Sequence, residues 1–454
     1  MGVVEMVNVA KIYSTLGNPN SLIPLAIKDT TSTAGMTVGS YITGKEEGYD
    51  RLIDEVGTEA IWLGGIPFFK WLYDKTVFKA LGYDAKIDAR NLKDQQVLEK
   101  IKEYAPTEDI KKSIEKVTKN QKTFKNAATA KFFISTALTV GSYIGLTKFK
   151  QKYTEKKIRE NLIAEYNTEK ENLVKNDSLT EKNASSPSFK GLGSAIESLA
   201  FSPVKNMWVL DGCITAERLK DSRTKQEFIG YAIKEASILT FMYYAGGKIQ
   251  DQLEKQAEQK GKSIRLDARV LEDGFLKKAF EDASIEKSLN EIKAVKGSKV
   301  QLYEFLHKNP DNLIVKAARM SDIIKMYEEP QGWFKKSLVT NKIDTRKFIN
   351  MDDFLGVVDK KGNKVKTGLI EQIEILYKQY QDALLKGETA DAFFSQVKKL
   401  KRKSIVTNIG SCMVALGVFT PVIMLLRRFS ANDNQEFETK KQIRDQLIKE
   451  GVIA

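Results

Sequence analysis

The feature that most constrains this chain is one uncharged stretch of twenty-three residues, Ser404 to Leu426, which reads SIVTNIGSCMVALGVFTPVIMLL. As an α-helix it would be about 35 Å long, and the hydrocarbon core of a bilayer is about 30 Å thick. Lys and Arg residues flank both ends, and such side chains can keep their charges at the membrane interface. The stretch therefore predicts a transmembrane helix. The alternative is a buried core helix of a large protein that folds in water.

Three further apolar stretches lie in the first part of the chain. Thr30 to Thr43 is free of charge but too short to span, which favours a buried or interfacial helix. The stretch 59–73 contains a Gly-Gly-Ile-Pro interruption, which is typical of a broken or re-entrant element. Phe132 to Thr147 has sixteen uncharged residues and would span only with the help of helix packing, for which Gly141 and Gly145 form a GxxxG pair.

A fourth stretch, Phe228 to Gly247, carries two charges in an apolar setting, Lys234 and Glu235. Each would cost about 2.5–3.5 kcal/mol at the middle of a bilayer. Ionisable groups inside membranes commonly mark a path for ions or substrates, so we predict that these two residues are functional intramembrane charges. The alternative is a core helix in a layer that folds in water.

The two halves of the sequence contain similar motifs in the same order. Ile87 to Asp94 reads IDARNLKD, and Leu266 to Asp273 reads LDARVLED. Each motif follows an apolar element and precedes a basic approach to a longer apolar segment. This order favours an internal duplication. The alternative is that such a motif is only the start of an amphipathic helix capped by Asp, as Asp88 would cap one, and Ile343 to Phe348 shows a third instance.

These patterns predict an all-α fold, specifically a polytopic helical membrane protein with two to four spans, a soluble helical insert and an internal duplication. We expect a first membrane-associated helical half at 1–184 and amphipathic and membrane-associated helices at 185–299. A soluble, mostly helical insert would occupy 300–395, and 396–454 would hold a basic flank, the membrane helix and a charged C-terminal tail. Within the insert, Val357 to Lys366, VVDKKGNKVK, predicts a tight hairpin.

The charge balance is basic, with 73 Lys and Arg against 59 Asp and Glu, for a net charge of +14. Most of the bases are Lys, whereas specific readers of nucleic acid depend on the bidentate geometry of Arg, so nucleic acid is not an expected partner. We predict instead a bilayer with anionic headgroups as the partner. The candidate lipid contacts are the bases beside the apolar segments: Lys122, Lys125, Lys131, Lys401, Arg402, Lys403, Arg427 and Arg428.

Residue counts argue against most catalytic chemistry. The chain has one His and two Cys, which lie far apart, so Ser-His-Asp triads, HExxH zinc sites and a disulfide framework are not supported. We predict no catalytic residue, no cofactor and no metal site. The N-terminus lacks a basic region ahead of an apolar core, and we therefore expect a multi-pass membrane protein without a cleaved signal peptide.

Three functions fit these observations. The first is a non-enzymatic membrane scaffold or membrane-shaping protein, with a protein partner at 300–395. The second is a transporter or channel, to which the duplication and the pair Lys234 and Glu235 point, and which would need a second copy of the chain if few helices span. The third is a soluble helical protein that inserts a hidden apolar hairpin on a trigger.

Overall fold

The structure is a computed structural model and describes residues 9–18, 21–105, 107–170, 203–223, 225–295, 299–324, 326–329, 338–343, 346–359, 361–430 and 438–453. It is mostly helical, in agreement with the predicted all-α class. In these residues, strands occur only as two short antiparallel hairpins. The chain forms two compact units, each made of segments that are distant in the sequence.

The helices in chain order are α1 (Val9–Leu16), α2 (Ile23–Thr43), α3 (Lys45–Tyr73), α4 (Lys79–Leu81), α5 (Gln95–Glu103), α6 (Glu108–Lys119), α7 (Gln121–Lys170), α8 (Pro203–Lys220), α9 (Lys225–Ile238), α10 (Gly246–Gln259), α11 (Ala268–Asp273), α12 (Phe275–Glu281), α13 (Ser284–Lys293), α14 (Lys299–Lys308), α15 (Leu313–Met320), α16 (Met351–Leu355), α17 (Leu369–Leu385), α18 (Ala390–Val414), α19 (Thr420–Ser430) and α20 (Glu438–Lys449). The strands are β1 (Met326–Glu329), β2 (Leu338–Ile343), β3 (Gly356–Val358) and β4 (Lys364–Thr367).

Unit 1 comprises the described residues of 1–23, 73–130 and 248–408. Its centre is a continuous apolar core built from residues such as Leu98, Ile314, Phe354 and Phe393, whose side chains are almost fully shielded from solvent. This is the arrangement of a domain that folds in water, where burial of apolar surface is the main favourable term. The hairpin predicted at Val357 to Lys366 is confirmed, because β3 pairs with β4 across that turn.

The two similar sequence motifs, both in unit 1, adopt the same local geometry. Asp88 Oδ1 accepts hydrogen bonds from Arg90 N at 2.9 Å and Arg90 Nε at 3.1 Å, and Asp267 Oδ1 accepts from Arg269 N at 2.8 Å and Arg269 Nε at 3.0 Å. The predicted helix after Asp88 is, however, a 3₁₀ turn, Ala89–Lys93. The α-helix α5 begins only after Asp94, whose side chain caps it by accepting from Val97 N.

Unit 2 comprises the described residues of 24–72, 131–247 and 409–454. It is built differently from unit 1, because hydroxyl and charged side chains fill much of its interior, including Ser32 and Thr139 at 0 % exposure. Close approach of helices relies on small residues: a Cβ atom at Gly35 of α2 would overlap the backbone of Gly417. Small residues allow the same close packing between membrane helices.

Three π-helical segments interrupt long helices of the described chain: Asp74–Phe78, Leu239–Ala245 and Ala415–Phe419. The last one falls inside the predicted transmembrane stretch, directly before α19 and Pro421. There Thr420 Oγ1 donates a hydrogen bond of 2.9 Å to the carbonyl oxygen of Ala415. A hydroxyl therefore satisfies a main-chain acceptor where the regular pattern is broken, and π segments of this kind are frequent at functional sites.

By length and apolar composition, one helix among the described residues could cross a membrane, the continuous helix Ala390–Leu426 that includes the predicted stretch. Its most apolar window is only 33 % buried, whereas a core helix of a water-soluble protein would be mostly covered. The predicted multi-pass topology is not supported by this criterion, because α2, α3, α7 and α9 are interrupted by polar and charged residues.

Candidate functional site: a buried charge network in unit 2

Four helices of unit 2 bring charged side chains together in its interior. We call this set the charge network; it consists of Asp50, Asp54 and Glu55 from α3, Lys150 from α7, Arg218 from α8, and Lys234 and Glu235 from α9. All seven residues are at most 8 % exposed. Buried charges are costly unless they are paired and hydrogen-bonded, so the partners of each one decide whether the network is stable.

The network begins on one face of α3. Asp50 and Asp54 are four residues apart, which places both carboxylates on the same side of the helix. Lys150 Nζ lies 3.5 Å from Asp50 Oδ2 and 3.6 Å from Asp54 Oδ1, and donates a hydrogen bond of 3.2 Å to Tyr231 Oη. The Lys150 side chain is only 1 % exposed, so its ammonium depends on these protein groups rather than on water.

Arg218 is the centre of the network. Its guanidinium donates to Tyr143 Oη at 2.9 Å, to Thr58 Oγ1 at 3.1 Å and to Asp54 Oδ2 at 3.3 Å, and it also pairs with Glu235. A guanidinium carries five N–H donors in a fixed plane, which suits one cation that must serve several acceptors at once. The contacts connect α3, α7, α8 and α9 through a single side chain.

The structure places the predicted intramembrane charges, Lys234 and Glu235, inside this network at 2 % and 3 % exposure. Lys234 pairs with Glu55, and Glu235 pairs with Arg218. The two residues are not each other's main partners, because Lys234 Nζ and Glu235 Oε1 are 4.0 Å apart. Each is therefore held by a partner from another helix.

A small cavity of about 20 Å³ lies beside the network, lined in part by Asp29, Trp62, Asp211, Arg218 and Lys234. This volume is enough for about one water molecule. Asp211 accepts a hydrogen bond from Tyr243 Oη, and Trp62 is 2 % exposed. In the described chain, no group of three or more His, Cys, Asp or Glu side chains is arranged to hold a metal ion.

The other predicted site residues lie away from the network. Gly141 and Gly145 are exposed on α7, and a Cβ atom at either position would meet nothing within 4 Å. Their role in helix packing stays a prediction, because neither glycine is in close contact with another helix of the described chain.

The candidate lipid contacts fall into three groups. Lys122, Lys125 and Lys403 are exposed and Lys131 is partly exposed, whereas Lys401 is buried and donates to Ile264 O at 2.8 Å. Arg402 makes two hydrogen bonds of 2.7 Å to the Glu272 carboxylate. The side chains of Arg427 and Arg428 lie outside the described part of the chain. Contact with anionic lipid stays a prediction, and the exposed lysines are the ones placed to make it.

Sequence reasoning missed most of the network. Asp50, Asp54 and Glu55 precede a short apolar run, and Arg218 stands in a segment interpreted as a polar helix. One usable signal is the spacing Asp50, Asp54, Thr58, which places three polar groups on one helical face beside apolar residues. The partners themselves are too distant in sequence to be paired by inspection, since Asp54 and Arg218 are 164 positions apart.

Comparison with known proteins does not assign a function to this site. No family model matches the chain, no curated protein matches it, and no solved structure matches it. The function must therefore be argued from the network and from the surface of the unit that contains it.

Proposed function

We propose that this chain is an integral membrane protein in which the helices of unit 2 are embedded in the bilayer and the charge network provides a path for an ion. The function is that of a transporter or channel. The observation that carries the proposal is that unit 2 buries a set of paired charges and also exposes large apolar side chains on several of its helices.

The apolar exterior extends over several helices. Ile42 of α2 is 64 % exposed, Phe68 of α3 is 54 % exposed, Phe133 of α7 is 48 % exposed, and Ile423 of α19 is 53 % exposed. Contiguous exposed apolar surface is unfavourable in water and typically marks contact with a partner or a membrane. Exposed apolar side chains also occur on α2, α3 and α7, which are not apolar enough along their length to count as spans by hydropathy. This surface supports several embedded helices rather than one.

The interior supports ion movement rather than anchoring alone. A charge at mid-bilayer costs about 2.5–3.5 kcal/mol on the translocon scale, so an anchor gains nothing from Arg218, Lys150 and Lys234. Residues of this kind inside membranes usually pair with one another and mark ion or proton pathways. The network also joins α3 and α7 from the first half of the sequence to α8 and α9 from the second, as substrate sites in transporters with internal repeats do.

A second candidate is the non-enzymatic membrane scaffold. It is favoured by unit 1, which has its own apolar core and carries the exposed bases Lys122 and Lys403. The hypothesis of a hidden hairpin has less support, because Phe419 and Leu426 are already 60 % and 62 % exposed.

The test is ion flux through liposomes that contain the intact protein. We expect a flux of protons, Na⁺ or K⁺ above that of empty vesicles, and we expect Glu235→Gln to reduce it because Arg218 loses an ionised partner. Glu160→Gln is the matched control, since Glu160 is an exposed residue of α7 in the same unit. A protein that resists carbonate extraction but conducts none of these ions would contradict the proposal and favour the scaffold.

A further inference from the structure

The cavity beside the charge network contains more acids than its bases can neutralise. Of its lining bases, Lys234 pairs with Glu55 and Arg218 pairs with Glu235. Asp29 and Asp211 line the same cavity, and neither forms an ion pair with any described residue. Asp211 is 8 % exposed, so water from outside can do little to stabilise its charge.

Trp62 gives a second and independent sign that the cavity is occupied. Its side chain is 2 % exposed, and its Nε1–H lies near the Asp211 carboxyl group but outside the distance and angle of a regular hydrogen bond. A buried donor whose acceptor is poorly placed is costly, and a cavity of about 20 Å³ is large enough for one water that would serve both groups. A water there would accept from Trp62 and donate to a carboxyl group.

We propose that Asp211 and Asp29 form a proton-binding site in unit 2, with one water molecule held between these carboxyl groups and Trp62. The functional consequence of this site rests on the proposed function: the proton would be the ion that unit 2 moves. Two carboxyl groups that share a small cavity disfavour each other's ionisation, which favours one bound proton where the nearby cations already serve other acids. The space admits a proton and a water, and it is too small for an organic solute.

The charged groups around the two acids support one bound proton rather than none. Asp29 lies within electrostatic range of Lys234 and Arg218, and also of Glu55 and Glu59. Asp211 faces Tyr243, Asp29 and Glu235. The two bases that line the cavity are already paired with Glu55 and Glu235, and Glu59 accepts a hydrogen bond from Thr30.

The test is the infrared spectrum of the intact protein in lipid, in which a protonated carboxyl group absorbs separately from a carboxylate. We expect a protonated-carboxyl band at neutral pH that Asp211→Asn or Asp29→Asn weakens. The band should be unchanged in Asp445→Asn, since Asp445 is an exposed residue of α20. Tyr243→Phe removes a donor to Asp211 and should shift the band without removing it, which keeps the test valid if an Asn variant folds poorly.

The spectrum and the flux assay separate the two proposals. A band that neither Asn variant nor Tyr243→Phe alters would overturn the proton site, whatever the flux. A band that responds as expected in a protein that conducts no ion would support the site and overturn the proposed function. A flux carried by Na⁺ or K⁺ and indifferent to Asp211→Asn would support the proposed function and overturn the inference that the proton is the ion that unit 2 moves.

Discussion

Units 1 and 2 differ in what they bury and what they expose: unit 1 has the larger apolar core, whereas most of the large apolar side chains that are exposed belong to unit 2. In unit 1, Ile314 and Phe354 are fully buried, and ion pairs such as Lys111–Glu108 lie at the surface with the Glu108 side chain 74 % exposed. In unit 2, Arg218 is buried at 3 %, while Ile42 is 64 % exposed. Under the proposed function, this difference means that unit 1 folds in water and that the helices of unit 2 lie in the bilayer.

If unit 2 lies in lipid, as proposed, the two units are stabilised by different interactions. Unit 1 gains its stability from apolar surface removed from water, about 25 cal/mol for each Å². Helices in lipid have no such driving force between them, and they associate through close packing and internal polar contacts. Gly35 is an example of close packing in unit 2, since a side chain there would overlap the Gly417 backbone. Arg218 is an example of internal polar contacts, through its hydrogen bonds to Tyr143 and Asp54.

The largest effect is expected from charges on the apolar surface of the long helix. Val414→Arg combined with Val418→Arg should cost about 5–7 kcal/mol of membrane insertion, because both side chains are about half exposed. Flotation and carbonate extraction measure the loss. Leu384→Arg with Leu385→Arg is the matched control on exposed residues of unit 1, and it should leave membrane association unchanged. Equal behaviour of the two double variants would remove the distinction between the units.

A second effect concerns the centre of the charge network. Arg218→Leu leaves Glu235 and Asp54 without their shared cation, and breaking a buried pair in this way typically costs about 3–5 kcal/mol. The expected result is a lower unfolding temperature of the protein in detergent. Lys152→Leu, at an exposed position of α7, should have little effect. If both variants melt like the wild type, the network does not hold unit 2 together.

A third comparison uses the same substitution in both units. Ile314→Ala creates a cavity in the core of unit 1 and should cost about 2–5 kcal/mol. Ile423→Ala, at a side chain that is 53 % exposed in unit 2, should change stability in detergent by no more than about 0.5 kcal/mol. Thermal or denaturant unfolding gives both values, and similar losses would argue that Ile423 belongs to a buried core.

The smallest effect sharpens the case for duplication within unit 1. Asp88→Ala and Asp267→Ala each remove an N-cap that accepts from the main-chain N–H two residues later, and each should cost about 0.5–2 kcal/mol. Denaturant unfolding, together with hydrogen exchange of the following turn, measures the loss. A loss of stability in one variant but not in the other would mean that the two motifs are similar in sequence but do not stabilise the fold in the same way.

Local features of the fold could be predicted from the sequence. The helix over Ser404 to Leu426 follows from its uncharged length, the hairpin near Gly362 from its turn residues, and the caps at Asp88 and Asp267 from their spacing. Each of these depends on residues close together in the chain. The π segment at Ala415–Phe419 could not be predicted, because nothing in the residue spacing marks it; it contains Gly417, which lies close to Gly35 of α2 in the fold.

The candidate site could be predicted only in part. Lys234 and Glu235 drew attention because charges interrupt an apolar stretch, and both belong to the network. Their partners Glu55 and Arg218 look like ordinary surface charges in the sequence, and Glu55 and Lys234 are 179 positions apart. Only the packing of α3 against α8 and α9 turns these surface-like residues into a buried network.

The central claim is that the exposed apolar surface of unit 2 contacts lipid, and labelling with a lipid-soluble photoreactive reagent tests it most directly. The intact protein would be labelled in membranes, digested and mapped by mass spectrometry. Our account predicts labels on peptides that carry Ile42, Phe133 and Phe419, and none on those with Val365 and Leu385, which are at least as exposed but belong to unit 1. Labelling of both sets alike, or of neither, would contradict the account.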